Sequence, residues 1–267
     1  MKNVDLGLTG RVALVTGASA GIGYAIAEKL AGEGCHLIIC GRNSERLEKA
    51  VETLGHYQIK IISIAADVHK ENDSISLVQE SLKQFGRIDI AINNSEGAKF
   101  SSEAVEEFDD EEWRNVFERK LMGYIRMTNL VLPSMKSQKW GRIINIIGTS
   151  GKEPAGALIK SGVANAGLIN FTKAVATEVA KWNVLVNSIN PGLIDTPRHR
   201  EYLEVVAQKE GQTVNAIKER IDKLIPLGRR GAASEVANLV AFLASECASY
   251  ITGVTIPVDG GLSKGAF

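Results

Sequence analysis

Three glycines, Gly17, Gly21 and Gly23, follow the apolar, β-branched run Leu14-Val15-Thr16. They precede Tyr24-Ala25-Ile26-Ala27-Glu28-Lys29-Leu30, whose apolar residues recur at helical spacing. A strand feeding a glycine turn at a helix N-terminus presents free N–H groups and the positive end of the helix dipole, which suits the pyrophosphate of a dinucleotide. Glycine lets the backbone turn tightly and approach phosphates with no Cβ in the way. The spacing is G-x-x-x-G-x-G, with Ser19, Ala20 and Ile22 completing the turn expected to meet the cofactor. Such a motif alone reads equally as a structural turn; the flanking strand and helix supply the context that phosphate binding requires.

Arg42, directly after Gly41, is the second chemical signal. A carboxylate there would accept hydrogen bonds from the ribose 2′-hydroxyl of NAD, whereas a guanidinium suits a 2′-phosphate. Neither neighbour is acidic, so the expected cofactor is NADP(H); the plain alternative is a surface arginine in a loop.

The elements that position these residues alternate along the chain. Strands are expected at about 11–16, 36–41, 60–65, 88–92, 142–147, 184–189 and 254–258, short and apolar on both sides as buried parallel strands are. Helices fall between them at about 21–33, 43–54, 71–85, 109–136, 161–181 and 234–244. The pattern implies a single doubly wound, Rossmann-type α/β domain over residues 1–267 with a seven-stranded parallel sheet. Residues 197–226 stand outside the alternation, carrying charges with Tyr202, Leu203, Val206, Val214, Ile217, Ile221 and Leu224 at helical spacing. They read either as a helical substrate lid or as a solvated pair that closes the fold.

Lys plus Arg balances Asp plus Glu at 31 each, which gives no electrostatic reason for a nucleic-acid or anionic-membrane partner. Met1-Lys2-Asn3-Val4-Asp5 lacks an apolar signal region, and no apolar run approaches membrane-spanning length. Cys35, Cys40 and Cys247 show no metal-ligand spacing, and core thiols in a cytoplasmic protein are the expected reading.

The glycine turn resembles that of the short-chain dehydrogenase/reductase family, and the resemblance extends over nearly the whole chain. Asp67-Val68 resembles the family's acidic pair placed against the adenine. Asn93-Asn94-Ser95 resembles its Asn-Asn-Ala-Gly turn, with Glu96 standing at the glycine unless Gly97 takes over. Pro191-Gly192-Leu193-Ile194-Asp195-Thr196 resembles the segment that touches the nicotinamide carboxamide, and Gly253 to Gly261 resembles the last strand and turn. The resemblance implies that Asp67, Val68, Asn93, Asn94, Ile194 and Thr196 join the cofactor site. It implies that Asn93 bonds main chain between strands. It also implies a small-molecule substrate and a homodimer or homotetramer paired through the helices near 109–136 and 161–181.

The active centre departs from the family. Its usual proton relay is a Tyr-x-x-x-Lys pair, an upstream Ser and an Asn on an earlier helix. The run Ala166 to Lys173 puts Ser161 at the tyrosine and Asn165 at the lysine; Gly141 to Ile146 leaves Gly148 at the serine; Trp113 and Gly123 put Lys120 at the asparagine. The lysine and the amide are thus exchanged, and Lys120 is expected beside Asn165. Ser161 reads as a hydroxyl in the centre or as a helix N-cap. Thr149 and Ser150 could supply the missing hydroxyl, while Lys152, Glu153 and Lys160 are expected to be exposed. Three functions follow: an NADP(H)-dependent oxidoreductase with a rebuilt proton source, an NADP(H)-binding enzyme of non-redox type (elimination, dehalogenation or isomerisation), or a non-catalytic subunit of a mixed oligomer.

Overall fold

Short aliphatic and β-branched runs form the strands β1 (Val12–Thr16), β2 (His36–Gly41), β3 (Ile61–Ala65), β4 (Ile90–Asn93), β5 (Gly141–Ile146) and β6 (Val184–Pro191). Two short strands, β7 (Ile194–Asp195) and β8 (Gly231–Ala232), pair with each other, and β9 (Thr255–Val258) ends the series. The computed structural model describes residues 5–94 and 105–265; Ser95, Glu96 and Gly97 lie outside them. The main sheet has seven strands in the order β3-β2-β1-β4-β5-β6-β9, every pairing parallel. Strand order reverses between β1 and β4, so a crevice opens at their carboxyl ends, the place where doubly wound sheets take ligands.

Helices α1 (Gly21–Gly32), α2 (Ser44–Leu54) and α3 (Glu71–Phe85) connect the first strands. The single helix expected over 109–136 is instead three pieces: α4 (Asp110–Val116), a π-helical turn (Phe117–Met122) and α5 (Gly123–Gln138). A π turn inserts a residue into the helical ladder, and sequence periodicity does not register it. Next come α6 (Ile159–Val179), α7 (Pro197–Glu210), α8 (Val214–Asp222) and α9 (Ala233–Ala244). The last two turns of chain outside the alternation, α7 and α8, bury Leu203, Ala207 and Ile217 against each other, with Tyr202, Val206 and Ile221 around them.

The two faces of the sheet carry separate cores. One joins Val15, Leu37 and Ile144 to α1 and α9; the other joins Leu14, Ile143 and Val186 to α3, α5 and α6. Cys35 and Cys40 are fully buried, and burial pushes both thiols up to about 12, so they are unreactive near neutral pH. No described helix is long and apolar enough to cross a membrane, and no described group of His, Cys, Asp and Glu could hold a metal ion.

Charge closes the end of the sheet opposite the crevice. Asp89, fully buried, accepts the Val12 N–H at 2.9 Å and the Arg87 Nε–H at 3.0 Å, with Arg11 at 3.6 Å. The Trp140 ring lies between the guanidinium groups of Arg11 and Arg142, and its Nε1–H donates to Glu246. Breaking a buried pair leaves an uncompensated charge. Asp89→Ala is expected to lower the unfolding free energy by about 3–5 kcal/mol, measured by urea denaturation. A loss within experimental error would show that the arginines re-solvate freely.

Candidate functional site

The glycine turn is locked from β4. The Asn94 N–H donates to Thr16 Oγ1 at 2.9 Å, and its Nδ2 donates to the Thr16 and Gly17 carbonyls at 3.2 and 3.3 Å. A Cβ on Gly17, whose φ is +63°, would lie 2.1 Å from the Asn94 carbonyl oxygen; one on Gly23 would lie 2.2 Å from the Gly17 carbonyl oxygen. Only glycine fits either place. Ala20 is the extended residue before α1, with no side-chain cap, so the first N–H groups of that helix face the crevice. Thr196 comes to this turn from the far side of the sheet, its methyl 3.5 Å from where a Gly21 Cβ would stand.

An open recess extends from the turn and is lined by Gly17, Ser19, Cys40, Gly41, Arg42, Ala66, Asp67, Val68 and His69. Arg42 is exposed at its rim, and Asn43 next to it caps α2 by accepting the Arg46 N–H. Asp67 Oδ1 accepts from the His69 N–H at 3.2 Å and lies 2.8 Å from His69 Nδ1, so the carboxylate shapes its own loop. It does not cap α3, whose N-cap is Lys70. Among the described residues the Asn93 side chain meets side chains where a main-chain bond was expected: its Nδ2 donates to Asn145 Oδ1 at 2.8 Å and Thr128 Oγ1 at 3.3 Å. Asn145 opposes Asn93 in the β4–β5 register, so the two amides meet before either reaches a carbonyl.

The residues expected in the active centre lie where α6 and the π turn pack together. Lys120, 4% exposed, points inward and donates to the Ile146 carbonyl at 3.3 Å and to Tyr124 Oη at 3.1 Å. Tyr124, 1% exposed, donates to that same carbonyl at 2.6 Å. Asn165, also 4% exposed, donates through Nδ2 to Ser150 Oγ at 2.9 Å, and its Oδ1 is buried with no partner among the described residues. Lys120 and Asn165 thus sit in one buried region without bonding each other; each has a nearer partner. Ser161 is not an N-cap. The helix begins two residues earlier, at Ile159, which leaves Ser161 inside the first turn with a buried Oγ that has no partner among the described residues. Thr149 opens the short 3-10 turn that carries Ser150.

Other side chains flank this centre. Ile194 is buried in β7, and Thr196 caps α7 by accepting the His199 N–H at 3.3 Å. His199 has a buried Nε2 with no partner among the described residues; burial, then the nearby Arg230, lowers its pKa. Two side chains expected at the surface are engaged instead. Lys160 is mostly buried against Phe108 and pairs with Glu112 at 3.0 Å, and Glu153 accepts the N–H groups of Lys264 and Gly265.

Tyr124 is the residue that the sequence reading passed over. Its signal was the i, i+4 spacing from Lys120, which puts both on one helical face.

Gly148 has a φ of +128°, and a Cβ there would come within 3.2 Å of Asn165 Nδ2. A serine at this position therefore conflicts with both the backbone and the Asn165–Ser150 bond. Gly148→Ser is expected to destabilise the fold by about 1–3 kcal/mol. Gly156→Ser, where nothing lies within 4 Å, is expected to change little. Urea denaturation of the two variants side by side checks this, and equal stability would mean that the centre has room to spare.

Known proteins are similar to this chain over nearly its whole length. A sequence model described as enoyl-(acyl carrier protein) reductase matches residues 17–263. The chain is 39% identical to the NADPH-dependent reductase BacG of Bacillus subtilis, over 95% of this chain and 98% of that one. It is 37% identical to the 3-oxoacyl-[acyl-carrier-protein] reductase FabG of Aquifex aeolicus, over 97% and 100%. The crystal structure of L-sorbose reductase from Gluconobacter frateurii, complexed with NADPH and L-sorbose, superposes with a TM-score of 0.93 at 34% identity, covering 98% and 100%. On its sheet order, its glycine turn and these matches, the chain belongs to the short-chain dehydrogenase/reductase family.

Proposed function

We propose that the protein is an NADPH-dependent reductase of a carbonyl-bearing small molecule, with Lys120, Tyr124, Ser150 and Asn165 in place of the family's usual proton relay. The observation that carries this reading is the burial of Lys120. A decayed centre would release a long ammonium side chain to water, yet this one is held inside by a carbonyl and a phenol.

The residues present fit the cofactor. The turn at Gly17 and Gly23 excludes any Cβ, as close backbone approach to a pyrophosphate demands. Ser19 and Arg42 would hold the 2′-phosphate, Asp67 and Val68 would flank the adenine, and Asn94, Ile194 and Thr196 would face the nicotinamide end. When bound, reduced nicotinamide supplies a hydride. The side chains around it manage charge. Lys120 spends two N–H groups on Tyr124 and Ile146, which leaves one to meet a substrate oxygen and stabilise negative charge developing there. Ser150 Oγ accepts from Asn165, so its own proton is free to point elsewhere. Asn165 Oδ1 and Ser161 Oγ are buried polar atoms of the kind a ligand satisfies. The names of the relatives support reduction over the non-redox and non-catalytic readings. The same reading takes the protein to be cytoplasmic. It also takes it to be a homodimer or homotetramer, with the exposed apolar Met122 and Val163 on the pairing helices.

Two measurements test the proposal. NADPH is expected to bind at least about tenfold more tightly than NADH, and Arg42→Ala is expected to remove most of that preference, since charge-assisted bonds are worth roughly 1.5–3 kcal/mol. Calorimetric titration of both cofactors decides it; equal affinities in the wild type would refute the assignment of Arg42.

Lys120→Met keeps much of the stem and removes the charge, so cofactor binding should persist. Turnover on a reducible substrate, found by following NADPH oxidation across a carbonyl panel, should fall by ~10²-fold or more. Undiminished turnover would detach Lys120 from the chemistry. Nucleotide binding with no turnover anywhere on the panel, restored beside a homologous subunit, would favour the non-catalytic reading.

A further inference from the structure

Arg126, on α5, touches both ends of the site at once. Its side chain is largely buried. Nη1 lies 3.5 and 3.4 Å from the carbonyl oxygens of Val68 and His69, in the loop that lines the recess; Nη2 binds the carboxylate of Glu118. Glu118 is the second residue of the π turn, and Lys120 stands two residues further on in the same turn. The backbone makes a second connection. A Cβ on Gly123 would lie 3.4 Å from the Val68 carbonyl oxygen and 3.6 Å from His69 Cδ2, so the recess loop rests directly on the end of the π turn.

A π turn has poorer hydrogen bonding than an α-helix and persists where tertiary contacts hold it. Here the Glu118–Arg126 pair braces the turn from inside its start to beyond its end, and the brace is itself anchored in the recess loop. We propose that Arg126 is a positioning residue that couples occupancy of the adenine-side recess to the placement of Lys120. A ligand that orders the Asp67–His69 loop fixes two of the acceptors of Arg126, and the guanidinium then holds the π turn in the form that directs Lys120 inward. This rests on the recess being the adenosine site of the cofactor, as proposed above.

The probe is adenosine 2′,5′-bisphosphate, which carries the adenosine end and has no nicotinamide, so no turnover is needed. Hydrogen exchange is followed over 117–124 with and without the probe, and probe affinity is measured by calorimetry. In the wild type, exchange there should slow by about threefold or more on binding. In Arg126→Met the affinity should stay within about threefold while the protection disappears. Arg126→Lys can pair with Glu118 but cannot span both partners, and Glu118→Gln keeps the shape without the charge; both should also lose the protection. These variants carry the test if Arg126→Met fails to fold. Binding without protection in the wild type, or protection that survives in all three variants, overturns the coupling and leaves the cofactor reading standing. Failure of the wild type to bind the probe overturns both.

Discussion

Everything in the site depends on how closely β1 and β4 approach at their carboxyl ends. Asn94 makes that junction, its main-chain N–H on the Thr16 hydroxyl and its amide across the Thr16 and Gly17 carbonyls. The bonds draw the chain so near that Gly17 and Gly23 have no volume for a side chain. This close packing aims the start of α1 at the crevice. Because α1 and α9 pack together over the same face of the sheet, the turn is fixed against a core and not merely a flexible loop. A site built this way is rigid where a charged ligand would need preorganised N–H groups.

The catalytic half obeys a different constraint, the conservation of volume and polar capacity in a buried space. Polar groups buried at the carboxyl end of β5 each need a partner. Lys120 and Tyr124, one turn apart, both converge on the Ile146 carbonyl, while Gly148 and Asn165 make room for the Ser150 contact. Lys120 sits within the π turn, whose inserted residue resets the facing of the helical residues on either side of it. Among the described residues, Asn165 Oδ1 and Ser161 Oγ, one turn apart on α6, are buried without a partner.

Much of the fold was legible in the sequence because its signals are local. Ile- and Val-rich runs gave the strands to within a residue or two, and a parallel sheet with its switch point follows from the alternation. The glycine turn was legible because glycine is the only residue that fits Gly17 and Gly23. What escaped was set by contacts distant in sequence. Ser161 looks like a cap until Leu158 and Ile159 are seen to start the helix earlier. Lys160 and Glu153 look solvated until Glu112 and the backbone of Lys264 and Gly265 arrive beside them. The hydropathy of 109–136 is compatible with one straight helix, so the π turn and the convergence of Tyr124 with Lys120 had no one-dimensional trace beyond the spacing of the pair.

The site is built from two groups of elements. The glycine turn and the recess depend on β1, β2, β3 and β4, whereas the centre depends on β5, α6 and the helix between. The two groups meet where Arg126 of α5 reaches the Val68 and His69 carbonyls and where Asn93 on β4 bonds Asn145 on β5. The Asn93–Asn145–Thr172 amide chain crosses from β4 to β5 to α6, and Asn93 is fully satisfied inside the protein at its Nδ2. That buried chain ties β4, β5 and α6 to one another through side chains. On the proposed reading the buried Lys120 and Asn165 are accommodated locally, Lys120 within the π turn and Asn165 beside Gly148, which carries no Cβ.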